Sequence, residues 1–393
     1  MTSWHIASGF RFAGIHCGIR PDPNRLDLAL IVSDQPAAAA GVFTQNRVCA
    51  APVQVSRERV PTGKARGVVI CSGNANACTG KQGIQDAKRM AAAAAEALGC
   101  KPKQMLICST GVIGRPLPMK VIEPGIARAV DALQPDAPSF NNVTHAILTT
   151  DTKIKVYSHA ADGITITAFA KGAAMIGPNL ATMLAFILTD AGIDPDDLAR
   201  LGRRAVQKSF NCISVEGHTS TNDTVLFFAN GAGRKLRRSG ELDRFAEELD
   251  KACSNLAQQI AADAEGAAHL VKIEVHGLRN DEDARRVAKT IAESALVKTA
   301  IFGADPNWGR FVSAAGYAGV DFEEKDLSLW MGDCLLYKKG TPQPFDATAA
   351  SAYLKNNREV ELRLEFAFGK GFCRFWTCDL TYEYVKLNAE YTT

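Results

Sequence analysis

Within MIGPNLATMLAF, residues 175 to 186, one hydroxyl stands where its surroundings give no reason for it. Gly177, Pro178 and Asn179 read as a turn, and Met183 to Leu188 is an apolar run of the length of a buried strand. Thr182 lies at the junction. β-branching alone suits a threonine to a strand start, but chemistry offers a second role. A mid-chain hydroxyl is a poor nucleophile without a base, and breaking the Ala181–Thr182 bond would supply one from the residue itself. The freed α-amine has a pKa of about 7.7 to 8.0, against roughly 10.4 for lysine, so a usable fraction is neutral at pH 7. That amine can take the proton from its own Oγ. The same hydroxyl can make the cut by attacking the preceding carbonyl, an N-to-O acyl shift favoured by a strained turn ahead of a rigid strand.

The elements that must position such a group alternate between strand and helix, which argues for a layered α/β or α+β architecture. ARGVVICSGNANACTG reads as a strand entering a Gly/Asn-rich loop, and Gln82 to Leu98 as a helix. QMLICSTGVIGRPLP repeats the strand-to-loop pattern, and IKVYSHAADGITITAFAKG predicts a hairpin turning at Asp162-Gly163. Beyond Thr182, Pro195 to Ser209, Glu241 to Glu265 and Asp281 to Leu296 carry helical periodicity, while LVKIEVHG and VKTAIFG read as strands. The last stretch, from Glu359 onward, alternates apolar and polar residues and predicts a β-meander. No linker divides the chain.

Bulk properties remove several classes of function. The 45 Lys plus Arg against 42 Asp plus Glu leave a formal charge of +3, with no basic block interleaved with aromatics, so nucleic acid is not the expected partner. The 11 cysteines are an odd number without a C-x-x-C pair, and the histidines are dispersed. That pattern fits a reducing compartment rather than a disulfide framework or a zinc site. No apolar run approaches membrane-spanning length, and the expectation is a cytoplasmic protein. Nucleotide binding is disfavoured by the absence of G-x-G-x-x-G after a strand and of G-x-x-x-x-G-K-[ST].

KGAAMIGPNLATMLAFILTDA closely resembles the self-cleaving segment of the ornithine acetyltransferases, the glutamate N-acetyltransferases of arginine biosynthesis. SGNANACTG, STGVIGRPLP, TTDT, STNDT, DPNWGR and LNAEYTT match in the same order, so the resemblance spans nearly the whole chain. It implies a DmpA/OAT-like α-β-β-α sandwich of the self-cleaving, N-terminal-nucleophile type. Residues 1–181 would be the α chain and residues 182–393 the β chain, intertwined as one folded unit. It further implies acetyl transfer from N2-acetylornithine to L-glutamate through an acetyl-Thr182 ester, and an assembly of two α and two β chains. No metal or organic cofactor is implied. Some members of the family also take acetyl-CoA as donor.

Residue by residue, the resemblance makes Thr182 the nucleophile, Ala181–Thr182 the cleaved bond, and Thr110 with Gly111 the oxyanion hole. A backbone N–H beside a hydroxyl at a strand exit suits that task. Substrate contacts fall on Thr149 (or Thr150, one place along in the Thr-Thr pair), Lys171, Glu265, Asn388 and Thr393. Lysine suits an amino-acid carboxylate, although a single lysine is more often a solvated charge. The chain departs from the family at Ala174 and Ala264, where glycine is usual, at Glu216 and His218, where aspartate is, and at His269, where lysine is. The competing reading is an N-terminal-threonine amidohydrolase or aminopeptidase that passes the acyl group to water.

Overall fold

The computed structural model describes residues 4–177 and 183–390, so Ala181, Thr182 and Thr393 lie outside the described residues. One sheet contains β1 (Phe10–Ile15), β2 (Leu28–Phe43), β3 (Thr62–Asn74), β4 (Met105–Val112), β5 (Lys155–Ala161), β6 (Ile164–Lys171), β7 (Leu184–Thr189) and β8 (Thr224–Ala229). A second contains β9 (Leu270–Leu278), β10 (Ser328–Met331), β11 (Cys334–Lys338), β12 (Thr341–Pro342), β13 (Glu359–Glu365) and β14 (Gly371–Cys378). The helices are α1 (Ala51–Arg57), α2 (Gly80–Ala97), α3 (Met119–Asp131), α4 (Ala137–Ala146), α5 (Pro195–Lys208), α6 (Ser239–Ala262), α7 (Asp281–Glu293), α8 (Ala295–Phe302), α9 (Trp308–Gly316), α10 (Ala347–Asn356) and α11 (Tyr382–Glu390).

The first sheet runs β4-β3-β2-β8-β7-β6-β5, with β1 on β2. Long β2 serves both halves: its first residues pair with β1 and β3, its last with β8, and its register against β3 breaks between Val32 and Ala39. Side chains alternate strictly between two faces. Ile31, Val68, Ile70 and Leu106 share one core with Phe186, Leu188, Leu226 and Phe228, so the two halves of the sheet face each other. Phe12, Phe140, Phe169 and Phe186 run through that core at ring separations of 5.2 to 5.4 Å. Burying each such ring is worth about 1.5–3 kcal/mol against leaving it in water. On the outer faces, Leu30, Val32, Val69 and Ile107 pack with α2 and α3, while Ala185, Ile187, Val225 and Phe227 pack with α5 and α6. The layers are therefore α-β-β-α, as the resemblance implied.

The hairpin turns where the sequence predicted, with Asp162 and Gly163 both at positive φ, the geometry of a two-residue primed turn. Two expectations fail. VKTAIFG is not a strand: it lies in α8, capped by Ser294 Oγ accepting from the Val297 amide at 3.4 Å. A short apolar run cannot be told from a buried helix by periodicity, and Val297, Ala300 and Ile301 sit at helical spacing on the buried face. The terminal meander also fails. β13 and β14 form, but β9 lies between them, parallel to the first and antiparallel to the second. Past Asp379 the chain becomes α11, where the Thr381 hydroxyl accepts from the Tyr384 amide at 3.0 Å, an N-cap contact that starts a helix. Among the described residues no helix is long and apolar enough to cross a membrane.

Candidate active site

Parallel β3 and β4 end side by side, with Gly73 opposite Gly111. Gly111 has φ +132°, and a Cβ there would come within 2.3 Å of the Gly73 carbonyl carbon. Only glycine fits so close an approach of two backbones. Asn222 ties the loops together, its Nδ2 donating to Ala75 O at 2.6 Å and Ser109 O at 2.7 Å. Thr110 is consequently held, buried, at the end of β4.

Lys171 ends β6, where it pairs across the sheet with Leu184, two places beyond Thr182. It is not the solvated charge expected of a single lysine: it is 1% exposed. Its Nζ donates to Thr149 Oγ1 at 2.7 Å and to Thr110 Oγ1 at 3.4 Å, and stands 3.9 Å from Asp151 Oδ2. Burial pulls the ammonium below the ordinary lysine pKa, and Asp151 opposes that shift. Asp151 also accepts from Lys155 Nζ at 2.7 Å and from the Gly172 and Thr149 amides at 2.6 and 3.1 Å. Burial works against its ionisation, but Lys171, Lys155 and the Gly172 amide outweigh it and hold the carboxyl well below the usual range. Lys155 reaches on to Asp263 at 2.6 Å, and Asp263 accepts from Thr152 N at 3.0 Å and from the Thr152 hydroxyl. Two buried lysines and two carboxylates thus close one hydrogen-bonded network around Lys171.

Glu265 lies beyond the end of α6, and its amide donates to Ala173 O at 2.9 Å. Asn388, on α11, donates to Glu265 Oε2 at 3.3 Å. Burial raises the Glu265 pKa, with Asp151 adding to the shift and Asn388 and Lys171 opposing it. The structure thus gathers Thr110, Thr149 and Lys171 by direct contact and joins Glu265 to Asn388. Of the Thr-Thr pair, it is Thr149 whose hydroxyl meets Lys171.

The loop from Ile213 to Asp223, noted in the sequence only for the departures at Glu216 and His218 and for STNDT, bonds both Ile176 and Met183. On the upstream side, Ile176 donates to Glu216 Oε1 at 2.6 Å, and its carbonyl accepts from the Val215 amide at 2.7 Å. A Cβ on Gly177 would come within 2.7 Å of the Gly217 carbonyl carbon, so the two backbone segments touch there. On the downstream side, Met183 donates to Asp223 Oδ1 at 2.8 Å, and its carbonyl accepts from Thr224 N at 3.2 Å. Among the described residues each carboxyl has one buried oxygen without a short hydrogen bond, Glu216 Oε2 and Asp223 Oδ2, while Ser220 also acts on Asp223 and the Met175 amide on Glu216. Burial pushes Glu216 up to about 7 and Asp223 well above the carboxylate range. Asp223 and Asp151 were in view all along, inside STNDT and TTDT, but only as matching letters. Among the departures, His218 is exposed. His269 is structural, bridging Asp379 Oδ2 at 2.7 Å and Leu354 O at 2.9 Å.

Residues 11–393 match the ArgJ family. The chain belongs to that family. It is 45% identical over 392 residues to the arginine biosynthesis bifunctional protein ArgJ of Geobacter sulfurreducens, covering 98% of this chain and 99% of the relative. The Symbiobacterium thermophilum protein of the same name is 45% identical over 394 residues, with 98% and 97% covered. Among solved structures, a chain of the Bacillus halodurans arginine biosynthesis bifunctional protein argJ aligns with TM-score 0.51 and 40% identity. That alignment covers 98% of the Bacillus chain but 52% of this one. Full-length agreement with ArgJ relatives places every motif quoted above within one family rather than in separate local similarities.

Proposed function

We propose that this ArgJ-family chain cleaves itself between Ala181 and Thr182 and then carries acetyl groups on Thr182 in arginine biosynthesis, in the cytoplasm, as two α and two β chains. Thr182 Oγ attacks the acetyl carbonyl of N2-acetylornithine, the α-amine of the same residue takes the hydroxyl proton, and that proton leaves on the ornithine nitrogen as the C–N bond breaks. Glutamate's amine then attacks the ester, the C–O bond breaks, and Oγ recovers a proton. Acetyl-CoA used as donor would acetylate the same hydroxyl and release a thiol. The cycle balances without a metal or organic cofactor. Thr110 and the Gly111 amide serve as oxyanion donors, Lys171 with Thr149 meets the amino-acid carboxylate, and Glu265, Asn388 and Thr393 complete the substrate contacts.

The observation that carries this reading is the meeting of Thr110, Thr149 and Lys171 beside the strand that follows Thr182. Cleavage is supported by the Bacillus chain, almost all of which is spanned by 52% of this one, close to the share that residues 182–393 make up. Intact mass spectrometry tests cleavage and acetylation together: wild type gives two fragments, and the smaller-numbered one is unmodified while the one starting at residue 182 gains an acetyl group from N2-acetylornithine. Thr182→Ala gives one inactive chain; if that variant fragments, an outside protease makes the cut.

A hydrolase would use the same nucleophile, so the acceptor decides between the two readings. With labelled acetylornithine and excess glutamate, wild type places nearly all label in N-acetylglutamate, because the fixed amine outcompetes water. Mainly free acetate at saturating glutamate would establish the hydrolase. Lys171→Met keeps length and removes charge; KM rises for donor and acceptor alike, and the yield of N-acetylglutamate falls.

A further inference from the structure

All 11 cysteines are free thiols, and two of them meet. Cys373 Sγ donates to Cys212 Sγ at 3.9 Å, and Cys212 Sγ donates onward to Gln207 O at 3.3 Å. Cys212 ends the short helical turn Phe210–Cys212 that follows α5, and Cys373 lies in β14, an edge strand of the second sheet. The two backbones are already joined beside the sulfurs: Ile213 bridges Trp376 in parallel, and Ser214 N donates to Trp376 O at 3.0 Å. A disulfide is about 2.05 Å long, so the sulfurs need to close by about 1.9 Å, or about 1 Å for each side chain. Both cysteines are buried, yet the cover over Cys373 is thin, because its strand neighbours Phe372 and Arg374 are exposed. Two buried thiols can be plain apolar fillers, but two in contact on joined backbones can also form a bond. Cys212 is the root of the loop from Ile213 to Asp223, whose Val215 amide donates to Ile176 O at 2.7 Å.

We propose that Cys212 and Cys373 form a two-electron redox site: a hydroperoxide oxidises the pair to a disulfide that locks the root of this loop to the second sheet, and a small thiol reopens it. The Cys212 thiolate attacks one peroxide oxygen and the O–O bond breaks, leaving a sulfenic acid and hydroxide. The Cys373 sulfur attacks the sulfenic sulfur, the S–O bond breaks, and a second hydroxide leaves. The two thiol protons convert both hydroxides to water, and the two electrons given up by the sulfurs reduce the peroxide. Cys212 suits the first step, because the hydrogen bond from Cys373, aided by the Arg285 guanidinium, draws its pKa below the ordinary thiol value against burial and Glu282. The same hydrogen bond, with burial, raises Cys373, which keeps its proton until the second step. Under reducing conditions the pair rests as two thiols. Both cysteines lie on the same side of the Ala181–Thr182 bond, so the proposal stands whether or not the chain is cut there.

The test treats the reduced, full-length protein with hydrogen peroxide, using exposed Cys78 as the internal measure of dose. A non-reducing peptide map should join the Cys212 and Cys373 peptides, and dithiothreitol should return both thiols. Oxidation should raise Tm by about 2–8 °C, the scale of a cross-link that closes a long loop. It should also slow hydrogen exchange at the Ser214 and Val215 amides by about tenfold or more, because local opening of the loop root is then blocked. Cys212→Ala and Cys373→Ala should each lose the cross-link, the gain in Tm and the slowed exchange. Should either variant fail to fold, the wild-type map and its reversal decide. Both thiols still open to alkylation after Cys78 has been oxidised would overturn the site, as would a sulfinic acid at Cys212 that dithiothreitol does not reverse. A cross-link that leaves exchange at Ser214 and Val215 unchanged would overturn the lock.

Discussion

The corner around Lys171 and the loop from Ile213 to Asp223 both hold buried carboxyls next to the same short segment, and they treat them in opposite ways. At the corner every charge is answered. Asp151 takes two lysines and two amides, and Asp263 takes Lys155 and Thr152. In the loop Glu216 takes the Ile176 amide and Asp223 the Met183 amide as short bonds, and among the described residues each has one buried oxygen without such a bond. The electrostatics follow: the Asp151 carboxyl is held low, while Glu216 and Asp223 are pushed up. A saturated network fixes side chains in one arrangement, whereas an unsaturated carboxyl stores a cost that a later event can relieve. The corner is built to hold still, and the loop carries the segment proposed to be cut.

The strongest way to break this comparison is to empty the corner. Asp151→Ala removes the shared partner of two lysines that are each 1% exposed, and leaving buried charges uncompensated costs about 3–5 kcal/mol. Denaturant unfolding near pH 7 should show a loss of that size. The sign with pH is fixed by the lowered carboxyl: its stabilisation is present above the ordinary aspartate pKa of 3.8 and fades as pH falls through the lower folded value. The gap between wild type and variant should therefore narrow below pH 4. A gap under about 1 kcal/mol at pH 7 would mean that the two lysines find other partners and that the network is not the anchor described here.

Thr110→Ala probes the same corner for chemistry rather than stability. Loss of one oxyanion donor costs about two to three powers of ten in turnover, while deletion of a small hydroxyl at a strand end should leave unfolding nearly unchanged. Turnover within about twofold of wild type would remove Thr110 from the oxyanion role. A large loss of stability instead would show that its 3.4 Å contact with Lys171 is structural.

These two regions also mark how far the sequence could be read. The layered α/β architecture, the hairpin and the strand after Thr182 followed from period-2 and period-3.6 patterns, because those patterns are what each face packs with, while the α-β-β-α order was implied by the family resemblance. α8 and α11 did not follow: a short apolar run fits either period, and the stop at Asp379 and restart at Thr381 are made by hydrogen bonds between residues distant in sequence or by a single cap. Thr110, Lys171 and Glu265 could be singled out by family resemblance, but not the fact that Lys171 is buried. That depends on Asp151 and Asp263, 112 positions apart in the sequence and joined only through Lys155. Glu216 was in view as a departure and Asp223 within STNDT, but their contacts were hidden for another reason. Their partners are backbone amides, which every residue carries and no sequence pattern reports.

Glu216→Gln is the finest test, because it asks whether an unanswered oxygen costs anything when the fold is otherwise intact. Glutamine keeps an acceptor for the Ile176 amide and removes the ionisable group. Burial raises the Glu216 carboxyl from 4.5 to about 7, with the Ile176 amide and Lys298 opposing. For a carboxyl raised on folding, its stabilising contribution is complete below the unfolded value and is lost as pH rises through the folded one. Wild type therefore gives up stability between pH 4.5 and pH 7 that the glutamine variant keeps. At pH 4.5 the two proteins should unfold alike; at pH 8 the variant should be the more stable by about 1–3 kcal/mol, the linkage expected for a shift of this size. The comparison should be made in the Thr182→Ala background as well, where the segment between Ile176 and Met183 stays uncut. A difference that appears in the uncut chain and shrinks after cleavage would place the cost of Glu216 in the precursor, where it opposes the closed segment. Equal stability at pH 8 in both backgrounds would show that Glu216 Oε2 finds a partner after all, and that only Asp223 separates the loop from the corner.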